Sequence, residues 1–147
     1  MLNNKFYFMK HKKSGCAPFK IYAIFILWLL FYQSADAQSK QWTVPEFAAA
    51  MKNPLAGNAA SVNKGRTIYK TQCSPCHGDK GKGDGPAAAA LTPKPADHTS
   101  NALQAESDGS LFYKISEGRK PMPTFKNTLN ENQRWAVINY IRTLPKK

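Results

Sequence analysis

The chain has 147 residues, with 21 Lys and Arg against 9 Asp and Glu and a net charge of +12. That length suits one core and argues against a multi-domain architecture. No nucleic-acid-reading motif, internal repeat or alternating apolar–polar run is present, which sets aside nucleic-acid recognition, repeat arrays and sheet folds.

Residues 1–37 read as a secretory signal. Lys5, Lys10, Lys12, Lys13 and Lys20 form a positive start, Ile21 to Tyr32 is an apolar and aromatic run of 12, and Ala35-Asp36-Ala37 offers a small-x-small cleavage site after Ala37. Left uncleaved, the same segment is a short N-terminal membrane anchor with its lysines on the cytoplasmic side. The run is shorter than the roughly 20 apolar residues of a spanning helix, which favours cleavage. Cys16 precedes the run and leaves with the signal. Removal takes five of the 21 basic residues and one of the nine acidic ones, leaving 16 against 8 over Gln38 to Lys147. The mature chain then holds two cysteines, Cys73 and Cys76, and no structural disulfide is expected.

Residues 38–60 are punctuated by Pro45, Pro54 and Gly57 and read as an irregular leader, with a turn of helix near Glu46 to Met51. Trp42 and Phe47 are expected to pack on the domain that follows; a flexible leader is the plainer alternative. The domain proper spans 61–147. Its first helix is expected after Ser61, a favoured N-cap, with Val62, Gly65, Tyr69 and Cys73 at helical spacing. Gly65 costs about 1 kcal/mol inside a helix relative to alanine. A close crossing by another helix would explain it.

Cys73-Ser74-Pro75-Cys76-His77 reads C-x-x-C-H, the attachment signature of a c-type haem. Two thiols at this spacing reach the two vinyl groups of haem and form thioethers, and the adjacent imidazole falls beneath the ring as an axial ligand. A thioredoxin-like dithiol would need a preceding strand, and none is evident. A zinc site would need a second ligand pair. Only His98 remains in the mature chain, in a proline-rich loop where an ordinary surface histidine is the expectation.

Gly78 to Pro86 superficially resembles a phosphate loop but lacks the Gly-Lys-Ser/Thr ending; flexible backbone beside the haem edge is the better account. Ala87 to Leu91 suits a helical turn, and Thr92 to Ser100, with Pro93 and Pro95, an extended path. Asp108 is placed to cap a helix over Gly109 to Glu117, ended by Gly118. The last helix is expected over Glu131 to Thr143, capped by Asn130 with Gln133 completing a capping box. Val137, Tyr140, Ile141 and Leu144 share one face. Trp135 projects elsewhere, either over another part of the chain or into solvent.

The sixth position on iron then needs a ligand or stays open. Met122, 45 residues after His77 and held between Pro121 and Pro123, offers a soft thioether. A His/Met pair raises the reduction potential relative to His/His. Met51 lies in the leader, and Met1 and Met9 leave with the signal.

These features together resemble class I cytochrome c, the monohaem, His/Met-ligated electron carriers. The resemblance covers Val62 to Leu144 and rests on the C-x-x-C-H motif, Gly65 and Tyr69, Gly85-Pro86, Pro121-Met122-Pro123, and Trp135 to Leu144. It implies an all-α fold, the small cytochrome c fold, of about four to five short helices wrapped around one covalently bound haem c. The first and last helices cross, Gly65 and Tyr69 meeting Val137 and Tyr140. It implies that the Pro86 carbonyl accepts the Nδ1 proton of His77, and that the polypeptide is exported, because covalent haem attachment occurs on exported chains. The 38–60 extension and the Lys/Gly-rich loop depart from the best-known members.

The functional expectation is a non-enzymatic electron-transfer protein of the periplasm, soluble after cleavage or tethered to the inner membrane by an uncleaved segment. Its iron cycles between Fe(II) and Fe(III), with Cys73 and Cys76 as covalent anchors, His77 proximal and Met122 distal. Leu91, Leu111, Phe112, Ile115 and Phe125 are expected to face the haem. Redox proteins are the expected partners. Lys80, Lys82, Arg119 and Lys120 suit an acidic one as well as they suit a solvated loop surface. A haem subunit of a larger respiratory or dehydrogenase complex carries the same chemistry. An open-site haem enzyme is disfavoured, because no distal acid–base pair is evident.

Overall fold

The computed structural model describes residues 42–145. The expected signal or anchor, with Cys16, Met1 and Met9, lies outside them. Four of the six described helices begin where a short polar side chain, Asn58, Ser100, Ser107 or Asn130, satisfies an orphan amide. α1 is Glu46–Ala49, α2 Ala59–Ile68, α3 Ser74–His77, α4 Asn101–Ala105, α5 Asp108–Glu117 and α6 Glu131–Arg142. A π-helical turn, Tyr69–Cys73, joins α2 to α3, and a 3₁₀ turn covers Ala88–Ala90. The described residues form no β-strand, only an isolated bridge between Arg119 and Met122.

The caps correct two expectations. Asn58, not Ser61, caps α2 by accepting from the Ser61 amide at 3.0 Å. Ser61 is turned inward, where its hydroxyl meets the Asn139 amide at 2.5 Å. Ser107, not Asp108, caps α5. Asp108 is engaged elsewhere, accepting from Arg142 Nε and from Asn53 Nδ2, both at 2.8 Å. The Asn130/Gln133 capping box forms as expected, with bonds of 2.9 and 2.8 Å. α4, capped by Ser100, lies in a stretch where no helix was expected.

The dominant packing is α2 against α6. Gly65 allows it: a Cβ there would overlap the Ala136 carbonyl, with Tyr140 Cβ 3.1 Å away. One turn on, the Tyr69 ring tilts against Tyr140, centroids 5.1 Å apart. The expected crossing therefore forms, with Ala136 at its closest point in place of Val137. Trp135 is covered, not exposed: its ring stacks on Phe112 of α5 at 4.0 Å. α6 thus buries one side against α2 and another against α5, which accounts for its nearly continuous buried run from Arg134 to Ile141.

Residues 42–60 pack within the same compact unit as the rest of the described chain. Asn53 bonds to Asp108 and to Asn139 Oδ1 (2.7 Å), and the Leu55 carbonyl accepts from Asn139 Nδ2 (2.6 Å). α1 forms where a helical turn was expected, but Ala48 is its buried residue, and Phe47 is aimed outward, 74% exposed.

Candidate cofactor site

The site is built on the end of the α2–α6 crossing. The π-helical turn widens the backbone as it reaches Cys73, and Pro75 opens α3 at a position where its missing N–H costs nothing. α3 is only four residues long, so its carbonyls need partners from outside. The glycine-rich loop supplies them. Gly83 N donates to His77 O (2.8 Å), Gly85 N to Cys76 O (3.1 Å) and Ala87 N to Pro75 O (2.9 Å). Gly85 lies so close beneath α3 that a Cβ would overlap the Ser74 and Pro75 carbonyls. The loop expected to be flexible is therefore pinned to the C-x-x-C-H turn.

Both cysteines are free and half-buried, and burial pushes the Cys73 thiol up to about 12. His77 is buried, and its Nδ1 donates to the Ala96 carbonyl at 2.9 Å. That bond fixes the tautomer with Nε2 as the free lone pair. Burial lowers the pKa of His77, partly opposed by the Ala96 carbonyl. Pro86 was the expected acceptor. Its segment is instead drawn under α3 by the Gly85 and Ala87 bonds, so Pro86 is exposed and the proline-rich stretch through Pro95 brings Ala96 to the ring.

His98, expected at the surface, is buried. Its ring stacks on His77, centroids 4.1 Å apart and planes 19° apart. The Tyr69 hydroxyl lies 3.0 Å from its Nδ1 and 3.3 Å from the Gly78 carbonyl. Burial and the adjacent His77 press the His98 pKa down to about 3. Only the fold brings these two histidines together, 21 residues apart in sequence.

Cys73, Cys76 and His77 face a cleft of about 990 Å³, counting solvent at its mouth. Pro121, Met122 and Pro123 also line it. Met122 sits in a tight turn that exchanges both backbone bonds with Arg119, at 3.0 and 2.9 Å. The chain beyond it is tied to α5 by Phe125 N to Ile115 O and Lys126 N to Ser116 O, both 3.1 Å. Met51, the other described methionine, does not line the cleft. Of the expected apolar contacts, Leu91, Ile115 and Phe125 are present. Leu111 and Phe112 are not: the helical phase of α5 sends them into the core behind, Phe112 against Trp135 and under the Arg134 guanidinium at 4.6 Å. Val137 and Ile141 of α6 line the cleft in addition. Their shared face is visible in the sequence, but there Val137 is expected at the helix crossing and Ile141 has no stated partner.

The donor set fits a haem. Among the described residues no three His, Cys, Asp or Glu gather as a metal cage. The donors facing the cleft include two thiols, two imidazoles, one thioether and the Lys94 amine. Since these donors do not gather as a cage, a metal there would bring its own equatorial ligands, and the cleft's apolar walls and size suit a flat organic cofactor.

A model of the family described as cytochrome c matches residues 62–145. The structure is similar to a chain of the reducing HAO-like protein complex Kustc0457/Kustc0458 of Kuenenia stuttgartiensis, with a TM-score of 0.59 and 26% identity. The match covers 75% of this chain and 53% of that one, so it spans about half of the longer protein. No curated protein matches.

Proposed function

The chain belongs to the cytochrome c family, and from that premise we propose that it is a six-coordinate carrier of single electrons, exported to the periplasm. Covalently bound haem c with its iron is the cofactor of this family, and the family's function is haem electron transfer. In this reading Cys73 and Cys76 hold the haem through thioethers, His77 Nε2 is one axial ligand and the Met122 thioether the other. The single observation carrying it is that these four side chains, from two distant stretches of sequence, line one apolar cleft.

Bound there, haem supplies a one-electron Fe(III)/Fe(II) couple. The protein's part is to hold and exclude. The Ala96 carbonyl orients the His77 ring, the pinned loop beneath α3 immobilises the two sulfurs, and Ile115, Phe125, Val137 and Ile141 keep water from the centre. With His77 and Met122 both holding the group, no position would be left for a substrate, and single electrons would be exchanged with little movement of the surrounding residues.

No described helix is long and apolar enough to cross a membrane. The exposed lysines of the loop, Lys80 and Lys82, suit an acidic redox partner. A second reading, a haem subunit of a larger assembly, is favoured by the likeness to a chain of a two-protein complex. Both require one haem per chain. A potentiometric titration of protein matured with haem is expected to give one wave of one electron. Two waves, or stoichiometric turnover of a small substrate at the haem, would overturn the carrier reading. A native mass above that of one chain in the purified protein would favour the subunit.

A further inference from the structure

Residues 42–53 run along α5 in the opposite sense. At the start of α5, Asn53 bonds to Asp108. Next, the carbonyls of Ala48, Ala49 and Met51 close over Gly109 so tightly that no Cβ would fit, and Ser107 Oγ donates to the Ala49 carbonyl at 2.7 Å. At the far end of α5 the segment delivers Trp42. The Trp42 ring carries the Arg119 guanidinium 5.0 Å from its centroid and Lys114 Nζ at 5.9 Å. Lys114 is already held by Glu106. Arg119 is the residue whose two backbone bonds form the Met122 turn. Trp42 and Arg119 both line the cleft as well.

We propose that Trp42 is a positioning residue for Met122: by gripping Arg119 it holds the Met122 turn against the cleft, and its ring shields that side from solvent ligands. The inference rests on the reading of Met122 as an axial ligand. The physical chain is short. A cation over an indole face is attracted to it by the ring's quadrupole. The two backbone bonds make Arg119 and Met122 one unit, so a hold on Arg119 is a hold on the Met122 turn. The segment is fixed at its other end by Asn53, so Trp42 is held by the fold and is not a loose cover. A strap of this kind leaves haem attachment untouched, because the cysteines lie on a different element. It acts on how readily the methionine yields its place.

The test titrates the ferric holoprotein with imidazole, followed by absorbance, in wild type, Trp42→Ala, Trp42→Phe, Arg119→Ala and Met122→Ala. Hydrogen exchange of the Met122 amide is measured alongside. Trp42→Ala is expected to bind imidazole about tenfold more tightly, equivalent to about 1.4 kcal/mol, with the Met122 amide exchanging about tenfold faster. Trp42→Phe, which keeps an aromatic face for the guanidinium, should stay within about twofold of wild type. Arg119→Ala removes an exposed side chain and should reproduce the effect of Trp42→Ala, which keeps the test informative if the latter folds poorly. Imidazole affinity unchanged in both Trp42→Ala and Arg119→Ala overturns the proposal, whatever happens to thermal stability. If Met122→Ala itself binds imidazole no better than wild type, the axial role of Met122 fails, and the strap's role fails with it. Tight binding in Met122→Ala alone would leave the axial role standing and remove only the part assigned to Trp42.

Discussion

Replacing Met122 by alanine is expected to leave haem attached but to turn the ferric protein from low spin to high spin. The reduction potential should fall by on the order of 0.1 V, a fraction of the roughly 0.8 V span that axial ligation commands. The size follows from the lack of a substitute. Among the other donors in the cleft, the Lys94 amine is exposed, and the His98 ring lies stacked on His77 with its Nδ1 engaged by Tyr69. His98 therefore sits on the proximal side and cannot replace a ligand on the distal one. Met51 lies on the strap outside the cleft. The cost to folding should be smaller than the 2–5 kcal/mol of a fully buried Met→Ala change, since Met122 is only half-buried. Absorbance and electron paramagnetic resonance of the ferric variant check this. A low-spin spectrum and an unchanged potential would remove Met122 from the coordination sphere.

Gly65→Ala is expected to destabilise the holoprotein by about 2–4 kcal/mol, read from guanidinium unfolding. Two effects of opposite sign compete here. Helix propensity alone favours alanine by about 1 kcal/mol. Against it stands the Ala136 carbonyl, which the new Cβ would overlap. That atom is backbone in the middle of α6, so relief requires the two helices to separate. Overpacking of a tight contact typically costs about 1–3 kcal/mol, and more where the obstacle cannot move. Separation would also loosen Tyr69 from Tyr140 and shift the π-helical turn that presents Cys73. A more stable Gly65→Ala protein would mean that the crossing is looser than described.

Elements whose signals are local were legible in the sequence. The Asn130/Gln133 capping box lies within one turn and needs nothing from elsewhere, so α6 begins where the sequence places it. The C-x-x-C-H spacing, the methionine between two prolines and the unexplained Gly65 were readable for the same reason. Signals that depend on competition between equivalent residues were not. Asn58 and Ser61, or Ser107 and Asp108, are each acceptable caps. The choice is made by distant partners: Asn139 claims the Ser61 hydroxyl, and Arg142 with Asn53 claims the Asp108 carboxylate.

The site divides along the same line. Cys73, Cys76, His77 and Met122 were named from sequence and share one cleft. The acceptor for His77 Nδ1 was not, because it depends on how two loops fold over α3. The glycine loop is tied to the carbonyls of Pro75, Cys76 and His77, and this leaves Ala96 to meet the imidazole. His98 illustrates the point again. A histidine among prolines carries no periodic signal of burial, and its place beside His77 is set by its amide bond to Gly81 O (2.6 Å) and by Gln104 donating to its carbonyl (2.8 Å). Trp42 was marked as a packing residue, but its contact with Arg119 spans 77 positions, beyond any local pattern.

The central claim is that one chain supplies both axial ligands to a haem it holds covalently. The visible spectrum of the wild-type protein, matured with haem and freed of any bound partner, tests it most directly. Haem is expected to stay with the polypeptide under acidified organic extraction and to give a low-spin spectrum in both oxidation states. The ferric form should also show the weak far-red band of Met-ligated class I cytochromes. Extractable haem, or a high-spin ferric spectrum, would contradict it.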